Sequence, residues 1–120
     1  MIQLNSKLIV LDNSGAKIVK CIKITKGSTV GTVGDIIVVA VQKAVPNKKI
    51  KAGDVTRALI VCLKKEIIRA DGSTLRFSDN YAVLLNKKNM PLGTHILGYV
   101  SEELRARKYM KVISIAEDTI

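Results

Sequence analysis

Short segments rich in Val and Ile, separated by residues that favour turns, restrict the fold of this chain more than any other feature. β-Branched residues are typical of strands, and Gly, Asp, Asn and Pro connect or end them. Pro46 ends one segment because proline cannot donate a ladder hydrogen bond, whereas Gly34-Asp35 and Gly53-Asp54 each open the next one. The pattern predicts strands over residues 7–11, 16–25, 36–45, 55–65 and 81–85.

Two further signals complete the predicted secondary structure. Asp71-Gly72, within residues 67–77, is a strong hairpin turn signal, and Lys26-Gly27-Ser28-Thr29 suits a second hairpin tip. Ser101 can cap a short helix that has Glu102 at its positive end. Many short strands with one late helix predict a mainly β fold, as a small closed barrel. A chain of 120 residues suits a single domain, residues 1–120.

The charge of the chain indicates an anionic partner. Lys and Arg number 20 against 10 Asp and Glu, a net charge of +10. Residues 1–70 hold 13 bases and 4 acids, whereas residues 71–120 hold 7 and 6, so we expect a coherent positive surface. Aromatic residues are only 3%, which favours binding through phosphates and duplex shape over stacking of unpaired bases. A basic surface kept for solubility is the alternative.

Candidate catalytic and metal-binding residues are few. Cys21 and Cys62 lie in apolar segments and His95 is the single histidine, which is too little for a zinc site. A Ser-His-Asp triad could use His95, but the sequence has no Gly-x-Ser-x-Gly elbow. We therefore expect buried thiols, no metal, no cofactor and no enzymatic activity. Gly31-Thr32-Val33-Gly34 matches the Gly-x-x-Gly loop of KH domains, but its strand-like flanks favour a hairpin base. No apolar run is long enough for a membrane span, and we expect no membrane partner.

Lysines recur at every third position in the second predicted strand. Simple alternation places Lys17 and Lys23 on one face and Lys20 on the other, which suits a strand whose two faces both meet RNA. A solvated edge strand, where Lys discourages aggregation, is the alternative. The basic stretch at residues 47–51 is predicted to be a loop that contacts phosphate.

An ordered series of motifs along the whole chain resembles the universal ribosomal large-subunit protein L-fourteen family. The motifs include Asp12-Asn13-Ser14-Gly15-Ala16, Val33-Gly34-Asp35-Ile36-Ile37, Lys51-Ala52-Gly53-Asp54-Val55, Asp71-Gly72-Ser73 and Gly93-Thr94. The resemblance implies a five-stranded β-barrel with a projecting β-hairpin and a short C-terminal helix. It also implies a structural protein of the large ribosomal subunit that binds large-subunit rRNA and contacts neighbouring large-subunit ribosomal proteins. Such a protein would reach small-subunit rRNA through bridges across the subunit interface.

Charge and resemblance together select the candidate site residues. Those predicted to bind rRNA are Lys17, Lys20, Lys23, Lys43, Lys48, Lys49, Lys51, Lys64, Arg69, Arg76, Arg105 and Lys108. By resemblance, Thr94, His95 and Lys111 belong to the surface on which a ribosome-silencing factor docks, although bacterial members usually carry Arg at the position of His95. A freestanding barrel that binds single-stranded nucleic acid, or a translation-regulatory docking module, is the alternative function.

The balance of residue types also bears on the source of the protein. Lys outnumbers Arg by 15 to 5, and Ile also reaches 15, as in proteins from AT-rich genomes. Together with a start at the family's usual first residue, this favours an organelle-encoded mitochondrial protein over a bacterial cytoplasmic one. In either case the expected location is the ribosome.

Overall fold

A computed structural model describes most of the first hundred residues and a short segment near the C-terminus. The described residues are 2–25, 30–46, 48, 50–64, 67–68, 72, 74–75, 79–88, 90–93, 96–100 and 116–119. The strands within them are β1 (Lys7–Val10), β2 (Ala16–Ile24), β3 (Ile36–Ala44), β4 (Val55–Cys62), β5 (Ile67–Ile68), β6 (Thr74–Leu75), β7 (Tyr81–Leu85), β8 (Ile96–Val100) and β9 (Ala116–Thr119).

Five of these strands form a closed barrel in the order β1-β2-β3-β4-β7. Neighbouring barrel strands are antiparallel, except that β1 and β7 close the barrel in parallel, with Ile9 opposite Tyr81. The predicted mainly β fold with a five-stranded barrel is therefore confirmed, and each predicted barrel strand is found within three residues of its expected ends.

Two smaller sheets accompany the barrel. The hairpin predicted around Asp71-Gly72 is confirmed as β5 and β6, in which Ile67 lies opposite Leu75 and Gly72 has a φ of 88°. Strands β8 and β9 form a parallel pair that was not expected from the sequence. The hairpin tip expected at residues 26–29 and the helix expected from Ser101 lie outside the described residues.

The same turn opens both β3 and β4. In the first, the Thr32 N–H donates to Asp35 Oδ2 at 2.7 Å and the Asp35 N–H donates back to the Thr32 carbonyl at 3.0 Å. In the second, the Lys51 N–H donates to Asp54 Oδ2 at 2.9 Å and the Asp54 N–H to the Lys51 carbonyl at 3.1 Å. Gly34-Asp35 thus opens β3 as expected, and the Gly-x-x-Gly sequence at residues 31–34 is part of the turn before that strand. The tip of the hairpin expected to contain this sequence at its base lies outside the described residues.

Each turn ends in a β-bulge whose hydrogen bonds join β3 to β4. Gly34, at a φ of 90°, donates its N–H to the Ile60 carbonyl, and the Ile60 N–H donates to the Asp35 carbonyl. Gly53, at a φ of 93°, is bound in the same way to Val41, which donates to the Asp54 carbonyl. Only glycine adopts this φ without strain, so the two Gly-Asp pairs mark the two ends of one strand pair.

The walls of the barrel differ in how their outer faces are buried. Along β1, β2 and β3 buried residues line the barrel interior and the intervening side chains are partly or fully exposed. Residues 58–62 of β4 and 82–85 of β7 are buried on both faces. Leu59 lies opposite Ile36, Val83 lies opposite Leu59, and Leu85 lies opposite Arg57. Because Ile36 and Arg57 face outward, the register turns Leu59, Val83 and Leu85 outward as well. All three are nevertheless 0% exposed. We call the first region the open wall and the second the covered wall.

Candidate nucleic-acid interface

Strand β2 carries Lys17, Lys20 and Lys23 on the outer face of the open wall. The register between β2 and β3 shifts three times, and two of the shifts leave Lys17 and Ile22 as extra residues of β2 without a Cα partner in β3. Because a bulge turns two consecutive side chains to the same side, the simple alternation expected from the sequence is wrong here. The inner face of β2 belongs to the core, with Val19 and Cys21 both 0% exposed, so RNA does not meet both faces of this strand.

The register brings further basic residues into the same outer face. Lys7 of β1 lies directly opposite Lys20. Val38 links Lys23 on one side to Arg57 of β4 on the other. Lys43 lies opposite Ile18, whose other neighbour is Ile9. We call this surface the basic face, and its members are Lys7, Lys17, Lys20, Lys23, Lys43 and Arg57.

The acids in this half of the chain lie off the basic face. Within described residues 2–64 they are Asp12, Asp35 and Asp54, and each carboxylate accepts a hydrogen bond from a backbone N–H. Asp12 and Asp35 are also buried, at 6% and 3% exposure. These carboxylates therefore stabilise turns, and none stands beside the pair formed by Lys7 and Lys20.

A second basic element, the basic loop, joins β3 to β4 at residues 45–52. Lys48 and Lys51 in this loop are exposed. Gly15 fixes the position of Lys48, because a Cβ at Gly15 would come within 2.6 Å of Lys48 Cβ. The Gly15 carbonyl also accepts the Val45 N–H at 2.7 Å. The loop is thus held against the turn at residues 12–15.

Asp12 connects that turn to the covered wall. Its Oδ2 accepts the Leu84 N–H at 3.0 Å, while its Oδ1 accepts the N–H and the hydroxyl of Ser14 at 3.1 and 2.5 Å. Desolvation by burial raises the pKa of the Asp12 carboxyl, and these hydrogen bonds offset part of the increase. Gly93 packs closely beside this turn, since a Cβ there would come within 2.6 Å of Asn13 Oδ1.

The predicted rRNA-binding residues fall into several groups. Lys17, Lys20, Lys23 and Lys43 lie together on the basic face, and Lys48 and Lys51 lie in the basic loop. Lys64 is exposed but follows the end of β4, seven residues beyond Arg57, and does not join either group. The remaining predicted site residues lie outside the described residues: Lys49, Arg69, Arg76, Thr94, His95, Arg105, Lys108 and Lys111.

Sequence reasoning missed several exposed basic residues. Strand pairing places Lys7 and Arg57 on the basic face. The position of Lys7 could have been predicted, because a hairpin that turns at residues 12–15 places Lys7 opposite Lys20. Lys87 and Lys88 are exposed in a loop after β7, which Asn86 Oδ1 stabilises by accepting the N–H groups of Lys88 and Met90 at 2.8 and 3.1 Å.

The described residues also include both cysteines and several side chains that could ligate a metal. Cys21 and Cys62 are buried thiols, as expected, and burial raises the pKa of the Cys21 thiol. No group of three or more potential metal ligands occurs among the side chains that the structure describes. In the same part of the chain, no helix is long and apolar enough to cross a membrane.

A comparison with protein families agrees with this arrangement of a basic barrel. The family model described as Ribosomal protein L14p/L23e matches residues 1–120. The match thus includes the basic face, the basic loop and the covered wall.

Proposed function

The chain belongs to the L14p/L23e family of ribosomal proteins, and from this premise we propose that the basic face and the basic loop bind large-subunit rRNA. Membership gives the protein a structural, non-enzymatic role in the large ribosomal subunit, with rRNA and ribosomal proteins as partners. We further propose that the whole chain acts as one rRNA-binding unit.

The observation that carries this proposal is the direct opposition of Lys7 and Lys20. Like charges at directly opposite positions of neighbouring strands destabilise a sheet. The three acids within described residues 2–64 accept hydrogen bonds from backbone N–H groups, and none of them pairs with Lys7 or Lys20 in the strand register. A polyanion lying across β1, β2 and β3 would neutralise both lysines and remove their repulsion.

The proposed mechanism is scaffolding by a rigid basic surface. The two register shifts that leave extra residues in β2 hold its three lysines outward, and the closed barrel fixes their spacing. Phosphates that bind these lysines release counterions, and neutralised rRNA segments repel one another less when they pack together. The small share of aromatic residues, 3%, favours contact through phosphates over extensive base stacking.

A salt titration tests the proposal. For the Lys7→Gln/Lys20→Gln double variant we expect the slope of log affinity for an rRNA fragment against log salt to flatten by roughly 1.4–1.8, because each phosphate that is no longer neutralised reduces the slope by about 0.7–0.9. The control is Lys87→Gln/Lys88→Gln, which removes the same charge from a loop outside the basic face. Equal slopes for the two double variants would contradict the assignment of the basic face.

We also propose a second surface for contacts across the subunit interface. It comprises Thr94, His95 and Lys111, with bridges to small-subunit rRNA and docking of a ribosome-silencing factor as its roles. Support comes from the apolar side chains of Met90 and Leu92, which shortly precede Thr94 in the sequence and are 37% and 40% exposed. The organelle-encoded source stays a prediction from the Lys and Ile content, and the sequence of the co-purifying rRNA tests it.

A further inference from the structure

We infer that the groove along the basic loop holds a single unpaired nucleotide of the rRNA, an inference that rests on the proposed function. The groove has a volume of about 410 Å³. The residues that line it are Ala44, Val45, Pro46, Lys48, Ile50, Lys51 and Ala52.

The lining combines the two chemical features that a nucleotide requires. Pro46 and the aliphatic residues offer an apolar surface to the face of a base, while Lys48 and Lys51 offer ammonium groups to its phosphate. None of the described residues that line the groove is an acid. The nearest carboxylate along the chain, that of Asp54, accepts the Lys51 N–H at 2.9 Å and so stabilises the turn.

The size of the groove selects one nucleotide over an RNA helix. A volume of about 410 Å³ lies within the range of sites for small molecules, roughly 300–1,000 Å³. The paired bases of an A-form helix lie in a deep, narrow major groove that protein side chains do not enter. An unpaired nucleotide can leave its stack and present both its base and its phosphate.

Contacts with other parts of the barrel anchor both sides of the groove. At one side the Lys48 side chain packs against Gly15, and Val45 is hydrogen-bonded to the Gly15 carbonyl. At the other side the turn at residues 51–54 is fixed by Asp54 and by the Gly53 N–H, which donates to the Val41 carbonyl at 2.8 Å. These contacts reduce the ordering that binding requires of Val45, Lys48 and the turn at residues 51–54, which favours a specific ligand over diffuse attraction.

Nuclear magnetic resonance of the ¹⁵N-labelled full chain can test this inference with adenosine and uridine monophosphate as probes. We expect saturable shifts at the amides of Val45, Lys48, Ile50 and Ala52. Uridine alone and inorganic phosphate alone should each bind at least about tenfold more weakly than the nucleotide, because each makes only one kind of contact.

Two variants separate the shape of the groove from its charge. Ala52→Leu fills the groove and keeps both lysines, and Lys48→Gln/Lys51→Gln keeps the groove and removes both charges. Each should weaken nucleotide binding by about tenfold or more. Lys87→Gln/Lys88→Gln is the matched control for charge, lies outside the groove and should bind as the natural chain does. Circular dichroism confirms that every variant is folded.

The outcomes distinguish this inference from the proposed function. Nucleotide binding by Ala52→Leu at the strength of the natural chain, or shifts spread equally over the basic face, would overturn the groove as a nucleotide site. Neither result would alter the salt slope of rRNA binding. Conversely, equal salt slopes for the Lys7→Gln/Lys20→Gln variant and its control would contradict the basic face while leaving nucleotide binding in the groove measurable by itself.

Discussion

The open wall and the covered wall share one barrel but use their outer faces differently. On β2 the outward side chains include three lysines, and Ile22 among them is 43% exposed. On β7 the outward side chains of Val83 and Leu85 are 0% exposed. The interior is aliphatic along both walls, so the difference lies entirely in what each outer face meets. The outer face of the open wall is accessible to a polyanion, whereas the outer face of the covered wall packs against other parts of the chain.

The largest expected difference between the walls comes from placing a charge on each. Val83→Lys would bury an unpaired ammonium group and should lower the free energy of unfolding by at least about 3 kcal/mol. Val38→Lys makes the same change on the open wall, where the side chain is half-buried, and should cost less than about 1 kcal/mol. Urea unfolding followed by circular dichroism measures both, and equal losses would erase the distinction between the walls. Val83→Thr, which replaces one methyl group with a hydroxyl, provides a milder variant for the same comparison.

Asp12 lies where the two walls meet and should give an intermediate effect. Asp12→Ala leaves the buried Leu84 N–H without its acceptor, which should lower the free energy of unfolding by about 1–3 kcal/mol. The pKa of Asp12 is raised in the folded state, so the native chain takes up a proton at a higher pH than the unfolded chain does. Acidification from that raised pKa towards 3.8 therefore favours the native state.

The pH dependence gives this prediction a sign that can be checked. The difference in unfolding free energy between the natural chain and Asp12→Ala should grow as the pH falls through that window. A carboxylate stabilised mainly by a cation would show the opposite trend. Denaturant titrations of both proteins at several pH values, with Asp54→Ala as an exposed turn carboxylate for comparison, decide between the two trends.

The smallest expected effect concerns repulsion within the open wall. Lys20→Gln removes one member of the pair with Lys7 and should raise the free energy of unfolding of the free protein by about 0.2–1 kcal/mol at low salt. The gain should shrink as salt screens the pair. Lys43→Gln is the matched control, since its partner across the strand is Ile18. A loss of stability in Lys20→Gln would show that the lysine packs usefully in the absence of RNA.

The sequence was sufficient to predict the barrel strands because each carries its own local signal. Val and Ile form the segments, and Gly-Asp pairs and Pro46 separate them. The continuous apolar run of residues 58–63 also distinguishes a strand buried on both faces from one with alternating exposure. The family resemblance supplied the number of barrel strands and the ribosomal role.

The composition of the basic face was less predictable, because it depends on the pairing of distant residues. The extra residues Lys17 and Ile22 in β2 reverse the alternation that a regular strand would have, and nothing local in the sequence reveals a bulge. Arg57 belongs to the basic face because it pairs with Val38, which in turn pairs with Lys23. Strand β8 pairs in parallel with β9, twenty residues along the chain, so no hairpin signal marks either one.

The parallel pairing of β1 with β7 has a consequence for the order in which the chain can fold. Ile9 pairs with Tyr81, so the barrel cannot close until more than half of the chain has been synthesised. Strands β1 to β4, by contrast, are joined in succession by antiparallel pairs of short sequence separation, which form quickly. A nascent chain therefore acquires its three-lysine strand and both neighbours of that strand first, and only later the wall that seals its interior.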